Sequence, residues 1–158
     1  MHRDLKSLNL LMSEEVKSPN DHCQVKVTDF GLSRSIQEMN TMQPSAGSMM
    51  TGLAGTFHWM APEVLQSDAN YSHKADVYSF GIVMWEIMAR EPPFKGLRPH
   101  EIMAQVVTSH ARPDMRRVPQ NCPPQYRQIL ERCWDRDAMN RPDFSVVVKM
   151  LKSIENLF

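Results

Sequence analysis

Three short blocks hold the residues with chemical potential. The first opens the chain: His2-Arg3-Asp4-Leu5-Lys6-Ser7-Leu8-Asn9. The second is Asp29-Phe30-Gly31 and the third Ala61-Pro62-Glu63. A carboxylate such as Asp4 can orient a hydroxyl and take its proton. Lys6, two residues on, supplies a positive charge. Asn9 and Asp29 offer oxygen atoms of the kind a hard cation such as Mg²⁺ prefers. Each block alone is short enough to arise by chance, and a lone Asp or Asn is more often a cap or turn residue. Their order is a stronger signal: the 35 residues from Asp29 to Glu63 inclusive enclose a stretch rich in Ser and Thr.

The elements that must position these residues follow from pattern. Leu8 to Met12 and Gln24 to Thr28 read as strands, the second with Val25 and Val27 on one face and Lys26 and Thr28 on the other. A polar turn around Pro19-Asn20-Asp21 joins them, so a two-stranded hairpin with a long loop is expected, bringing Asn9 and Asp29 to one end. From Ser33 to Thr56 there is neither helical nor strand spacing. Seven residues there are Ser or Thr, and Gly47, Gly52 and Gly55 interrupt any regular element. After Pro62 the chain becomes helical. Tyr71 to Ala89 is apolar nearly all round, which marks a core helix, and Glu91-Pro92-Pro93 ends it. Glu101 to Ser109, Pro124 to Trp134, and Phe144 to Leu157 with Asp143 as its cap, complete a mainly α fold with a small β-hairpin.

Composition narrows the function classes. The chain has 158 residues, 42% apolar and 23% charged, as expected of one globular domain with a real core. Lys plus Arg and Asp plus Glu number 18 each, so no bulk charge favours nucleic acid or a membrane surface. The longest apolar run, Phe80 to Ala89, is too short to cross a bilayer, and no secretory segment opens the chain. Three cysteines without a C-x-x-C pair point to a reducing compartment. Cytoplasmic placement is the expectation. Thirteen methionines read as adaptable core filler.

The ordered blocks resemble the C-terminal lobe of a eukaryotic protein kinase, whose family set is H-R-D-L-x-x-x-N, D-F-G and A-P-E. The resemblance spans essentially the whole chain. It extends to Gly55-Thr56 ahead of Trp59-Met60-Ala61-Pro62-Glu63, to Asp76-Val77-Tyr78-Ser79-Phe80-Gly81, to Met84-Trp85-Glu86 and Pro93-Phe94, and to Cys133-Trp134 followed by Arg141-Pro142. It implies ATP and Mg²⁺ as cofactors, protein substrates, and Asp4, Lys6 and Asn9 as catalytic residues. Asn9 and Asp29 are the implied metal ligands, with Lys6 near the transferred phosphate. His2 and Phe30 resemble packing residues of the family's internal spine, and Gly31 would let the chain turn after the metal ligand. Glu63 and Arg141 resemble the structural ion pair. Asp76 resembles the residue that caps the buried helix and holds the catalytic loop.

Residues 29–63 would then be the activation segment. An activating kinase would act on the 33–56 loop, with Arg3 as the phosphate partner and Ser48 and Thr51 as preferred positions. Lys6 and Thr56 resemble serine/threonine kinases, while Trp59 to Glu63 and Cys133-Trp134 are similar to tyrosine kinases. The mixture resembles the tyrosine-kinase-like group of serine/threonine kinases. The sequence contains no G-x-G-x-x-G loop, no V-A-I-K lysine and no partner glutamate helix. Residues 1–158 are therefore expected to be a partial kinase domain without its N-terminal lobe, inactive alone and exposing apolar surface where that lobe packs. The alternative is a truncated or pseudokinase-like interaction module that docks partners through the helices after Pro93.

Overall fold

The computed structural model describes residues 1–18, 21–33, 56–66 and 71–157, with Leu32 in backbone only. Ser48, Thr51 and most of the Ser/Thr-rich loop lie outside the described residues.

A 3₁₀ turn at Ser7–Asn9 leads into β1 (Leu10–Met12), which pairs antiparallel with β2 (Val25–Val27). The register sets Leu10 against Val27 and Met12 against Val25. A second 3₁₀ turn covers Phe30–Leu32 and a third Phe57–Trp59. Among the described residues five α-helices follow: α1 (Pro62–Leu65), α2 (Lys74–Ala89), α3 (Pro99–Thr108), α4 (Pro124–Cys133) and α5 (Phe144–Lys152). The expected class, mainly α with one two-stranded sheet, is the observed one. Proline opens α1, α3 and α4 at the first helical position, where its missing N–H has no intrahelical partner to lose. Among the described residues no helix is long and apolar enough to cross a membrane.

Helix α2 is the axis of the core. Val77, Tyr78, Ile82, Val83, Met84 and Trp85 are buried along it and pack with Ile129, Leu130 and Cys133 of α4 and Val147 of α5. The closest approach is at Gly81, where a Cβ would lie 2.9 Å from Cys133 Cβ and 3.2 Å from the Trp134 nitrogen. Hydrogen bonds tie a loop and a neighbouring helix to this axis: Trp85 Nε1 donates to the Asp114 carbonyl at 3.1 Å, and Tyr126 Oη of α4 to that of Met84 at 3.0 Å. A smaller cluster of Met60, Leu65, Ile102 and Val106 joins α1 to α3.

Leu11, Met12, Val25 and Val27 of the hairpin all face solvent, with no second layer among the described residues to cover them. Two sequence expectations change. Asp143 stands at the N-cap position of α5 but makes no cap bond. Its carboxylate instead meets Lys74 Nζ at 2.6 Å and His73 Nε2 at 2.9 Å. Methionine is not uniformly core filler, since Met139 is 83% exposed.

Candidate active site

The site is built around the extended stretch that precedes β1. Arg3 has φ of 75°, a left-handed conformation that costs a non-glycine residue about 1–3 kcal/mol. What sustains it is Asp76, in the first turn of α2. One carboxylate oxygen accepts from the His2 amide at 2.7 Å and the other from the Arg3 amide at 2.8 Å. The expected capping of α2 by Asp76 is not found, because both oxygens serve the loop. His2 is fixed through its ring: Nδ1 accepts from the Asp4 amide at 3.3 Å and Nε2 donates to the Thr28 carbonyl at 2.9 Å. Those two partners select the Nε2–H tautomer.

Asp4, so positioned, is buried. Its Oδ2 accepts from Lys6 Nζ at 2.8 Å and from Asn9 Nδ2 at 3.2 Å. Asn9 Nδ2 also donates to the Asp4 carbonyl at 2.8 Å, so both amide hydrogens turn toward Asp4 and the amide oxygen faces away. Lys6 Nζ donates onward to Thr56 Oγ1 at 3.0 Å. Asp4 Oδ1, by contrast, is buried with no partner among the described residues. An oxygen in that condition carries a desolvation cost that a bound donor would relieve.

Asp29 is brought to this group by the hairpin. The Thr28 amide donates to the Asn9 carbonyl at 2.9 Å while the Thr28 carbonyl takes the His2 ring, so the next residue emerges beside the loop. Asp29 is exposed and itself adopts the left-handed conformation, φ 63° and ψ 66°. The sharp turn was expected at Gly31. It falls on Asp29, and a Cβ on Gly31 would meet only Asp29 Oδ1 at 3.4 Å, an ordinary contact. Phe30 is 62% exposed and packs against His2, ring centroids 4.9 Å apart. Ser33 Oγ closes the turn by donating to the His2 carbonyl at 3.1 Å.

Behind the site, Glu63 and Arg141 form a two-pronged pair. Arg141 Nη1 donates to Glu63 Oε1 at 2.6 Å and Nη2 to Oε2 at 2.9 Å. Sequence reasoning missed several supports. Trp59 Nε1 donates to Glu86 Oε2 at 3.1 Å and Ser79 Oγ to the Trp59 carbonyl at 2.8 Å, which anchors to α2 the turn that starts at Thr56. Lys74 Nζ donates to the Arg141 carbonyl at 2.6 Å. Glu86 and Ser79 lie inside stretches that match the family, yet no local signal marks their side chains as anchors.

The donor chemistry suits a hard divalent ion. Among the described residues there is no group of three or more His, Cys, Asp and Glu able to hold a metal. Mg²⁺, however, usually takes one or two protein oxygens and completes its shell with phosphates and water. The Asn9 amide oxygen, turned from Asp4, and the exposed Asp29 carboxylate fit that habit.

Comparison with known proteins gives this geometry its family. Residues 1–151 match the model for the protein tyrosine and serine/threonine kinase family, and the chain belongs to that family. It is 40% identical over 154 residues to the serine/threonine-protein kinase STY46 of Arabidopsis thaliana, covering 98% of this chain and 24% of that protein. It is 35% identical over 156 residues to mitogen-activated protein kinase kinase kinase 11 of Homo sapiens, covering 98% and 17%. To the serine/threonine/tyrosine-protein kinase HT1 of Arabidopsis thaliana it is 39% identical over 155 residues, covering 98% and 35%. The chain thus spans about a third or less of the length of each of these relatives.

Proposed function

We propose that this chain is the substrate-side half of a protein kinase domain, its C-terminal lobe, and that it serves ATP-dependent phosphoryl transfer to serine and threonine hydroxyls of proteins. The observation that carries the reading is the Asp4 carboxylate: one oxygen engaged by Lys6 and Asn9, the other buried and waiting for a donor. A substrate hydroxyl is the donor that fits. Asp4 orients it and receives its proton as the new O–P bond forms and the bond to the ADP leaving group breaks. Lys6 lies between Asp4 and Thr56, where its charge offsets that gathering on the transferred phosphoryl group. Asn9 and Asp29 are the residues that would hold Mg²⁺. When bound, that ion neutralises phosphate charge.

The Lys6–Thr56 contact favours serine and threonine as acceptors, in keeping with the names of STY46 and its like; the printed name of HT1 keeps tyrosine as an outcome to be measured. Residues 29–63 are the activation segment in this reading, a target for an activating kinase. The exposed apolar hairpin is where an ATP-holding half would pack, so the chain alone is inactive. The test compares the chain alone with the chain joined to the ATP-binding half of STY46, using labelled ATP and a mixed-peptide substrate. Transfer to Ser and Thr only by the joined protein, lost in Asp4→Asn, is expected. Asp4-dependent transfer by the chain alone would overturn the half-domain reading, and label confined to tyrosine would overturn the substrate class.

A further inference from the structure

One contact at the site involves a residue that the motif comparison leaves without a role. Arg3 Nε donates to the Tyr71 hydroxyl at 2.5 Å, and the guanidinium carbon lies 5.4 Å from the centre of the Tyr71 ring. Tyr71 is half-buried and stands five residues before Asp76, whose carboxylate receives the amides of His2 and Arg3. A single short stretch, 71–76, therefore grips Arg3 at both ends: backbone by Asp76, side chain by Tyr71. Between the two grips lies the left-handed Arg3 backbone, and the next residue is Asp4.

We propose that Tyr71 is a positioning residue: with Asp76 it makes a two-point clamp that keeps Arg3 left-handed and so sets the direction of the Asp4 carboxylate. The significance of that direction for catalysis rests on the phosphotransfer reading above; the clamp itself does not. Asp76 holds the amides of His2 and Arg3, and Tyr71 adds a hold on the Arg3 side chain. A phenol is well matched to finish the task. Its oxygen accepts a charge-assisted hydrogen bond, stronger than a neutral one, and its ring face attracts the same cation. Phenylalanine would keep the second contact and lose the first, and leucine would lose both.

Nuclear magnetic resonance on the 158-residue chain tests this without ATP. The Arg3 Nε–H should exchange with solvent at least about tenfold more slowly than that of exposed Arg136, the factor expected of a hydrogen bond to a charged group. Tyr71→Phe should remove that protection. It should also move the Asp4 carboxyl-carbon and Lys6 ammonium resonances, while the Trp85 indole N–H, bonded to the Asp114 carbonyl, stays in place as a marker of the intact core. Tyr71→Leu should move them further. If Tyr71→Phe loses the Trp85 signal, Arg3→Lys replaces it, since lysine keeps the charge without the Nε donor and should reproduce the same Asp4 shift. Exchange at Arg3 as fast as at Arg136 in the unaltered chain overturns the clamp. So does a Tyr71→Phe chain in which Arg3 is released yet Asp4 and Lys6 do not move. A chain that passes these tests but transfers no phosphate when joined to an ATP-binding half refutes the kinase reading and leaves the clamp standing.

Discussion

Glu63→Gln is the perturbation whose cost the structure defines best. The Arg141 side chain is 0% exposed, and its five N–H donors meet five acceptors: Glu63 Oε1 and Oε2 and the carbonyls of Asp135, Lys74 and Arg136. Glutamine preserves the shape of the pair but strips the carboxylate charge set against a guanidinium that water cannot reach. Breaking a buried pair by removing one partner costs about 3–5 kcal/mol. At about 2–4 °C per kcal/mol for a chain of this size, the melting temperature should fall by about 6–20 °C. Urea unfolding followed by tryptophan fluorescence measures the loss, with Glu101→Gln as control. Glu101 also meets an arginine, Arg98, at 2.9 Å, but on the surface, so the control midpoint should barely move. Arg141→Lys should also destabilise, because an ammonium has three donors for those five acceptors. A loss below about 1 kcal/mol for Glu63→Gln, no more than a surface pair gives, would refute the argument that burial sets the magnitude.

Three other outcomes follow from particular contacts. Gly81→Ala should lower the urea midpoint, because overpacking against Cys133 and Trp134 costs about 1–3 kcal/mol and the gain in helix propensity returns at most about 1 kcal/mol; a raised midpoint would show that α2 and α4 can separate freely. Burial pushes the Cys133 thiol up to about 12 and raises that of Cys122, so a disulfide-exchange reagent at pH 8 should label Cys23 quickly and the other two only in denaturant; equal rates for Cys23 and Cys133 would contradict the packing. Lys74 and His73 hold the Asp143 carboxyl down to about 2, below its usual value near 3.8, so between those two values the unfolded chain binds more protons and this contribution to stability is lost as pH falls from about 4 to about 2. Asp143→Asn should flatten that part of the acid limb, and an unchanged limb would argue that the Lys74 contact is not maintained in solution.

The parts of this molecule that were legible in its sequence share a physical cause. Asp4, Lys6 and Asn9 lie within one turn and a short extended run, so their mutual geometry is nearly fixed by local backbone, and a motif of eight residues suffices to place them. Helix α2 was legible because a helix apolar on all sides has no alternative to burial. What could not be read depends on which surfaces meet. The alternation of Val25 and Val27 signals an apolar face but not whether anything covers it, and in this chain nothing described does. Asp143 has the residue type and position of a cap, yet Lys74 and His73 come from a helix 69 and 70 residues away and compete more strongly for its charge than the amides of α5. Gly31 attracts attention as the glycine of a known triplet. The left-handed residue of that triplet is nevertheless Asp29, and among the described glycines the one with a real steric demand is Gly81, in the middle of a helix where propensity alone disfavours it. Tyr71 is the sharpest case. Its spacing to Asp76 is ordinary, and only when the chain folds back 68 residues to Arg3 does that spacing become two grips on one arginine. A residue whose contact is made only across such a distance carries no local signature, because what selects it is the shape of a partner far away in sequence.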